Sequence, residues 1–198
     1  MVAQEVLVLP RYCATNSYLV RSSSACLLID TGMASTLASF NAALETYSLS
    51  IASITHVAAT HYHPDHIGLI PRLVSYGVVP IAFGNQIQHL HDSDEIYMRS
   101  PEEPFRPIED NKVISVPFEQ SRSFLSSLGI KGEVLSLPSH SPDSIGIMLD
   151  TKEAFVGDLT PLNWIAITDD NPVSDNWKSI LEYKPNVIYY GHAPALTL

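Results

Sequence analysis

A cluster of metal-ligand residues at positions 60–66 limits what this chain can fold into more than any other feature. His61, His63, Asp65 and His66 lie within six consecutive positions, directly after the apolar run 57–59. Such a run is typical of a buried strand, so the cluster begins where a strand ends. Loops held by a rigid strand often carry chemistry, and imidazole with carboxylate suits zinc, iron or manganese. The spacing therefore predicts a metal site, in which His61 and His63 can face one ion while Asp65 and His66 turn toward a second.

Four more potential ligands lie where other apolar, strand-like stretches end, and these residues are Asp30, His140, Asp158 and His192. In mixed α/β architectures the carboxyl ends of strands gather at one rim of a sheet. We therefore expect all four side chains to lie near the cluster at positions 61–66. The other histidines, His56, His89 and His91, do not follow a strand in this way, and we interpret them as structural or surface residues.

The distribution of apolar residues predicts an α/β fold in a single domain over residues 1–198. The predicted strands cover residues 5–9, 17–21, 25–29, 56–59, 78–83, 112–116, 133–137, 144–149, 154–156 and 187–190. The predicted helices cover residues 34–47, a stretch after Gly68 to about residue 76, and residues 85–91, 118–128 and 174–183. Residues 92–111 are acidic and rich in proline without a clear period, and they form either a lid over the site or an ordinary surface insertion.

Charge and composition argue against several classes of partner. The formal net charge is −10 and the basic residues form no run, so a nucleic-acid partner is not expected. No apolar stretch approaches the ~18 residues that a membrane span needs, and the first residues do not resemble a signal peptide. Cys13 and Cys26 are too few for a disulfide framework, so we expect two reduced thiols in a cytoplasmic protein. The expected partner is a small-molecule substrate.

Taken together, these motifs resemble those of the metallo-β-lactamase superfamily. In the order of that family, the chain has Asp30 in a strand-end Asp-Thr-Gly, the H-x-H-x-D-H motif, the lone His140, Asp158 in Gly-Asp and His192 in Gly-His. The resemblance extends from residue 28 to residue 192. It implies a four-layer αββα sandwich, in which two mixed β-sheets pack face to face with helices outside.

The resemblance also implies a dinuclear metal centre. The implied ligands of one ion are His61, His63 and His140, and those of the other are Asp65, His66 and His192. Asp158 would bridge the two ions, and Asp30 would orient ligands without binding metal. Because the set has nitrogen and oxygen donors and no thiolate, zinc is the first choice, with iron or manganese as alternatives.

Two divalent ions about 3.5–4 Å apart favour hydrolysis. A hydroxide held between them is a nucleophile at neutral pH, while one ion polarises the scissile carbonyl or phosphoryl oxygen and the other stabilises the leaving group. Asp65 is the candidate catalytic residue, because it could steer the nucleophile or shuttle its proton. We therefore expect a hydrolase of a small ester, thioester or lactone. The alternatives are a phosphodiesterase and an iron-dependent oxidoreductase similar to the persulfide dioxygenases of the same superfamily.

Differences from the sequence patterns of particular family members narrow the range of expected substrates. Asp158 and the absence of a signal-peptide pattern count against antibiotic hydrolysis, and the short stretch after His192 counts against the glutathione thioesters of glyoxalase II. Acyl-homoserine lactonases have a tyrosine where Pro161 stands, and nuclease members carry extra nucleic-acid-binding modules. The candidate substrate contacts are Tyr62, Asn163, Trp164 and Tyr190, and each of these side chains has packing in the fold as its alternative role.

Overall fold

Two β-sheets packed face to face form the centre of the computed structural model, which describes residues 4–100, 104–165 and 172–198. The strands are β1 (Glu5–Val8), β2 (Tyr18–Arg21), β3 (Cys26–Ile29), β4 (His56–Ala58), β5 (Val79–Phe83), β6 (Ile114–Val116), β7 (Gly132–Ser136), β8 (Ile145–Leu149), β9 (Glu153–Phe155), β10 (Val187–Tyr189) and β11 (Leu196–Thr197). The α-helices are α1 (Leu37–Glu45), α2 (Pro64–Ile67), α3 (Ile70–Val74), α4 (Asp94–Met98), α5 (Ser121–Ser127) and α6 (Pro172–Glu182).

The strand order decides which loops meet. The first sheet has the order β1-β2-β3-β4-β5-β6, and the second has the order β11-β10-β9-β8-β7. Strands β3 to β6 are parallel, as are β9 and β10, and the other neighbouring strands are antiparallel. Parallel neighbours end at the same edge of a sheet. The residues that follow β3 and β4 therefore lie side by side, and so do the residues that follow β9 and β10.

Apolar side chains on both faces of each sheet produce a four-layer arrangement. In β3, Leu27 and Ile29 pack between the sheets, whereas Leu28 packs with the layer of α1–α3, because successive side chains of a strand point to opposite faces. On the outer face of the second sheet, Trp177 and Ile180 of α6 are fully buried. The order helix, sheet, sheet, helix confirms the predicted αββα sandwich. Within the described residues, no helix has both the length and the apolar character that crossing a bilayer requires.

The helical predictions were less accurate than the strand predictions. The predicted helices at residues 34–47 and 118–128 both begin with a 3-10 turn before α1 and α5. The predicted helix at residues 85–91 is a 3-10 helix at Gly84–Gln88. The buried Gln86 side chain accepts a hydrogen bond from Phe83 N (3.0 Å) and donates one to Ala59 O (3.0 Å). The first bond ties the turn to the end of β5 and the second ties it to the residue after β4, and together they favour a tight turn over a continuing α-helix.

The acidic stretch 92–111 contains a helix that the sequence did not reveal. Residues 101–103 lie outside the described residues, and α4 precedes them. Within α4, the Tyr97 hydroxyl donates a hydrogen bond to Pro64 O (2.5 Å), so the helix contacts the loop that carries the histidine cluster. A helix this short shows no period in the sequence, and the two-residue strand β11 was missed for the same reason.

Candidate metal centre

Seven imidazole and carboxylate side chains converge where the ends of the two sheets meet. Within the described residues, three groups have donor atoms that all lie within 4.8 Å of one another: His61 with His63 and His140, His61 with His66 and Asp158, and Asp65 with His66 and His192. The first sheet supplies the residues that follow β4, and the second supplies those that follow β7, β9 and β10. The structure thus brings together the side chains that the sequence predicts as ligands, while metal binding by them stays a prediction.

The distances within the first group suit a single small cation. His63 Nδ1 lies 2.9 Å from His61 Nε2 and 3.2 Å from His140 Nε2. Four ligands arranged as a tetrahedron around zinc, at nitrogen–zinc distances of about 2.0–2.1 Å, would lie about 3.3 Å from one another. His63 Nδ1 therefore already has nearly the separation from each of the other two nitrogen atoms that one ion would require.

Asp158 lies between the two predicted sets of ligands, His61, His63 and His140 on one side and Asp65, His66 and His192 on the other. Its Oδ2 is 3.8 Å from His61 Nε2 and 3.3 Å from His192 Nε2, and its Oδ1 is 3.4 Å from His66 Nε2. On the far side, His192 Nε2 lies 3.1 Å from Asp65 Oδ2. A carboxylate that faces histidines of both ligand sets is placed as a bridging ligand would be.

Two buried atoms of this centre have no hydrogen-bond partner among the described residues. They are His66 Nε2 and Asp158 Oδ1, and both face the other donor atoms. A buried polar atom without a partner costs about 1–3 kcal/mol, and native structures seldom contain one that no ligand satisfies. A cation at this place would satisfy both atoms, and imidazole with carboxylate is a donor set that fits zinc, iron or manganese. The residues present therefore fit the metal centre that the sequence predicts.

Hydrogen bonds on the far side of the rings decide which nitrogen faces the centre. His66 Nδ1 lies 3.0 Å from Asp30 Oδ2, and His192 Nδ1 lies 3.1 Å from the carbonyl oxygen of Ala14. Both partners are acceptors, so each Nδ1 carries a hydrogen and each neutral ring keeps its lone pair on Nε2. The lone pairs of both rings are therefore directed into the centre, as metal ligation requires.

Asp30 positions the ligand loop from behind. It is buried, and its φ of 58° lies in the left-handed region, which aspartate adopts more readily than most residues. Its carboxylate accepts hydrogen bonds from Thr60 N (2.7 Å) and Thr60 Oγ1 (2.9 Å). Because the Thr60 hydroxyl hydrogen points to Asp30, its oxygen is free to accept a bond from His61 Nδ1 (3.2 Å). Asp30 belongs to none of the three donor groups, and this placement suits the predicted orienting role.

Burial and charge shift the pKa values of the buried histidines in different directions. Burial lowers the pKa of His61, and the neighbouring histidines lower it further. Burial would also lower the pKa of His66, but the charges of Asp30 and Asp158 outweigh this effect and raise it to about 10. Burial raises the pKa of Asp158, but contact with His66 outweighs burial and lowers it. A bound cation would oppose these same carboxylate charges, so a ligating His66 would be neutral, with its lone pair on Nε2.

Two residues without a role predicted from the sequence, Asp143 and Ser93, hold the loops of the candidate centre together. Asp143 Oδ2 accepts a hydrogen bond from Tyr62 N (2.6 Å), and the Ser93 hydroxyl donates one to Tyr62 O. Because Asp143 lies on the same loop as His140, its bond fixes that loop against the segment of His61. The closeness of Asp143 to His140 in the sequence is the only local signal of this contact. Nothing in the sequence near Ser93 indicates its partner.

The four candidate substrate contacts have different surroundings. Tyr62 is buried at 2% exposure and packs in the apolar core below the helices, which favours its alternative role in packing, and its contact with substrate stays an untested prediction. The physical reason for its burial is alternation in an extended segment: the flanking histidines point into the centre, and the residue between them points away. Asn163, Trp164 and Tyr190 line cavities beside the centre, which is compatible with substrate contact.

Two mixed sheets with a cluster of histidines and aspartates at their common end define a class of metalloprotein folds. The chain belongs to the metallo-β-lactamase superfamily, whose family model matches residues 10–192. That match includes every residue predicted to be a ligand, together with Asp30. The predicted family is therefore confirmed.

Solved structures agree with this assignment at the level of the fold. The Thermotoga maritima protein tm0894, named for the same family, is 19% identical with a TM-score of 0.71, covering 98% of this chain and 99% of that one. The protein ST1585 from Sulfolobus tokodaii is 17% identical with a TM-score of 0.69, covering 99% and 82%. TTHA1623, crystallised in a di-iron-bound form, is 22% identical with a TM-score of 0.69, covering 98% and 94%.

Three curated fungal proteins are similar to part of this chain. The atrochrysone carboxyl ACP thioesterase AacuM of Aspergillus aculeatus is 30% identical over 147 residues, which is 73% of this chain and 39% of that protein. The lactamase-like protein nscB of Neosartorya fischeri is 29% identical, over 73% of this chain and 37% of that protein. An atrochrysone carboxyl ACP thioesterase of Claviceps purpurea is 28% identical, over 74% and 40%. The chain spans less than half the length of these curated relatives.

Proposed function

We propose that this chain is a metal-dependent hydrolase of a small thioester or ester. The observation that carries the proposal is the convergence of seven histidine and aspartate side chains around the unpartnered His66 Nε2 and Asp158 Oδ1. The proposed ligands of one ion are His61, His63 and His140, those of the other are Asp65, His66 and His192, and both ions share Asp158. Two divalent ions held in this way would supply an activated water molecule and a Lewis acid for the carbonyl oxygen of the substrate.

Asp65 is the residue best placed to handle the proton of the attacking water. Thr15 Oγ1 donates a hydrogen bond to Asp65 Oδ2 (2.8 Å), and this bond holds the carboxylate in position. The Asp65 side chain is 30% exposed, so it contacts both the donor cluster and solvent. A general base must lie within hydrogen-bond reach of the proton that it takes. We assign to Asp65 the orientation of the water and the uptake of its proton.

Thioesters are the first choice of substrate because two of the curated relatives are named ACP thioesterases. The chemistry of the site is consistent with that choice. A thiolate leaves a tetrahedral carbon more readily than an alkoxide does, so its departure needs less assistance from an acidic side chain. Esters and lactones pass through the same kind of tetrahedral carbon, whereas phosphodiesters do not, and these classes form the comparison in the test.

The test is an assay of purified protein whose bound metal has been measured. Protein loaded with zinc, iron or manganese is given a thioester, an ester, a lactone and a phosphodiester in parallel. We expect hydrolysis of the thioester, with slower turnover of the ester and lactone. If the protein instead retained about one iron per chain, consumed oxygen and hydrolysed none of these substrates, the hydrolase proposal would be wrong and an iron-dependent oxidoreductase would replace it.

A ligand variant connects this activity with the cluster. The His63→Ala variant removes a nitrogen that lies within 3.2 Å of two other donors, and we expect it to lose most of its metal and at least about a hundredfold in turnover. His89→Ala is the matched control, because His89 pairs with Asp92 on the surface, away from the cluster. Full metal content and full turnover in His63→Ala would contradict the ligand assignment.

A further inference from the structure

A cavity opens directly beside the candidate metal centre. Its volume is about 380 Å³, and His140, Asp158 and His192 form part of its wall. A second cavity of about 280 Å³ continues from it, because Pro161, Trp164 and Pro194 line both. A substrate whose scissile bond lies at the centre would therefore place one of its two sides in this space.

A larger cavity lies elsewhere and has a different character. It measures about 560 Å³, is lined by Arg72 and Arg106 among others, and includes none of the predicted ligands. The two cavities beside the centre, by contrast, are lined by no lysine or arginine of the described residues. A carboxylate or phosphate group of a substrate would find no cationic side chain there. An uncharged group is the better match.

The side chains beyond the donor atoms form a mostly apolar wall. They include Leu159, Pro161, Trp164, Ala193 and Pro194. The Trp164 residue is 71% exposed, whereas the other tryptophan, Trp177, is fully buried. A broad aromatic ring on the wall of a cavity offers a large contact area to another apolar group.

Hydrogen bonds within the protein fix the segment that forms this wall. Trp177 Nε1 donates a hydrogen bond to Thr160 O (3.0 Å), and Leu162 N donates one to the Tyr190 hydroxyl oxygen (3.2 Å). The rings of Trp177 and Tyr190 are themselves buried, with centroids 6.2 Å apart. Two buried aromatic residues therefore fix the segment that presents Trp164. A preformed apolar cavity with polar groups at one end is typical of small-molecule sites.

We infer that this space is the acyl subsite of the enzyme, that it takes an uncharged apolar acyl group, aromatic or branched, and that Trp164 determines this specificity. The inference rests on the proposed hydrolase function and adds to it the class of acyl group. The donor atoms at one end of the cavity would act on the carbonyl, and the apolar wall would bind the group attached to it.

The kinetic test keeps the thiol constant and changes the acyl group. Benzoyl and acetyl thioesters of N-acetylcysteamine are compared in metal-loaded protein. We expect the benzoyl thioester to have the higher kcat/KM, and we expect Trp164→Ala to lower the benzoyl-to-acetyl ratio about tenfold, mainly through KM. Trp164→Phe should keep most of the ratio, because it retains a ring. Tyr76→Ala, which removes an exposed aromatic ring outside these cavities, should leave the ratio unchanged.

The results separate the two proposals. If neither thioester nor any other ester is hydrolysed, the proposed function fails. If thioesters are hydrolysed but Trp164→Ala leaves the benzoyl-to-acetyl ratio as it was, the hydrolase stands and the acyl subsite is wrong. Because the Trp164 side chain is largely exposed, truncating it removes no core packing, and a thermal unfolding curve of the variant verifies its fold.

A binding measurement tests the subsite without turnover. Benzamide, a neutral probe that is not a thioester, is titrated into metal-free protein while tryptophan emission is recorded. We expect a concentration-dependent change in emission from Trp164, and we expect none in Trp164→Phe, where only the buried Trp177 still emits. An identical response in both proteins, or no response in the wild type up to the solubility limit, would overturn the assignment of Trp164 to the subsite.

Discussion

Contacts on the far side of the His66 and His192 rings orient these two side chains toward the candidate centre. Asp30 binds the far nitrogen of His66, and a backbone carbonyl binds that of His192, so both rings direct Nε2 inward. Such contacts behind a ligand commonly change metal affinity by about 10–100-fold. The convergence of the candidate ligands could be predicted from the sequence, because each follows an apolar strand. The atoms behind them could not, because a backbone carbonyl or a distant hydroxyl has no local signature.

Gly191 offers a test at a residue that is not itself a ligand. A Cβ atom at this position would overlap the Asp158 carboxylate and would lie 2.8 Å from His66 Cε1. We expect Gly191→Ala to displace both side chains and to weaken metal binding by about 10–100-fold. Competition with a chromophoric chelator measures this affinity directly.

The control is Gly77, a glycine whose backbone, unlike that of Gly191, lies in the left-handed region. Gly77→Ala forces an alanine into a φ of 91° but places its Cβ atom in open space. We expect it to lower stability while leaving metal affinity intact. Metal binding by Gly191→Ala that is as tight as that of the wild type would refute the close packing around Asp158.

Short elements, and not long helices, connect the surface to the ligand loop. His91 links α4 to the 3-10 turn Asp110–Lys112. Its Nδ1 lies 2.8 Å from Asp94 Oδ2, and its Nε2 lies 2.7 Å from Asp110 Oδ1. Hydrogen bonds to Asp110 and Asp94 raise the pKa of His91 above its usual value. The predicted surface role of His91 therefore fits its placement. Because the contact is stronger when His91 is protonated, the stability of the region around α4 should depend on pH.

Stability near α4 is expected to depend on pH through His91. A histidine whose pKa is raised by folding stabilises the protein fully below the unfolded pKa of about 6.5, and the stabilisation disappears as pH rises through the folded pKa. We expect His91→Gln to lower the free energy of unfolding at about pH 5.5, by less than about 1 kcal/mol because the pair is exposed, and to have a smaller effect at about pH 9.

Denaturant unfolding at both pH values measures this difference. The Asp110→Asn variant and the double variant complete a cycle that isolates the His91–Asp110 contact from other effects of each substitution. The coupling free energy between His91 and Asp110 should be measurable at about pH 5.5 and smaller at about pH 9. A coupling that grows with pH would show that protonated His91 is not what holds the two elements together.

At the scale of the whole molecule, the candidate centre joins the two sheets. Residues that follow β4 of the first sheet and β7, β9 and β10 of the second meet at one set of donor atoms. Elsewhere the sheets are held together by apolar contacts, such as those of Leu27 and Ile29 with Phe155. A bound ion would add a link between the two halves of the sandwich at the end where like-charged carboxylates gather.

Removing metal should therefore lower the stability of the entire protein. At an ion concentration about a hundred times the Kd, binding contributes about 2.7 kcal/mol, which corresponds to roughly 5–10 °C in Tm for a chain of this size. Calorimetry of metal-loaded protein, of protein treated with a chelator, and of protein reloaded with zinc would measure this shift. His63→Ala should respond little to the chelator. An unchanged Tm in wild-type protein that has demonstrably lost its metal would contradict the role of the centre as a link between the sheets.

Local pattern was enough to predict the strands, the residues that meet at the candidate centre and the family, because apolar runs and the polar residues that follow them are properties of neighbours in the chain. The direction of Tyr62, the bond from its amide to Asp143 and the apolar wall around Trp164 depend instead on segments that are distant in the sequence and meet only when the two sheets pack. The short turn Gly84–Gln88 also depends on a distant segment, because the Gln86 side chain donates a hydrogen bond to Ala59 O. Such contacts form only when distant segments pack together, so the residues of one segment are not enough to predict them.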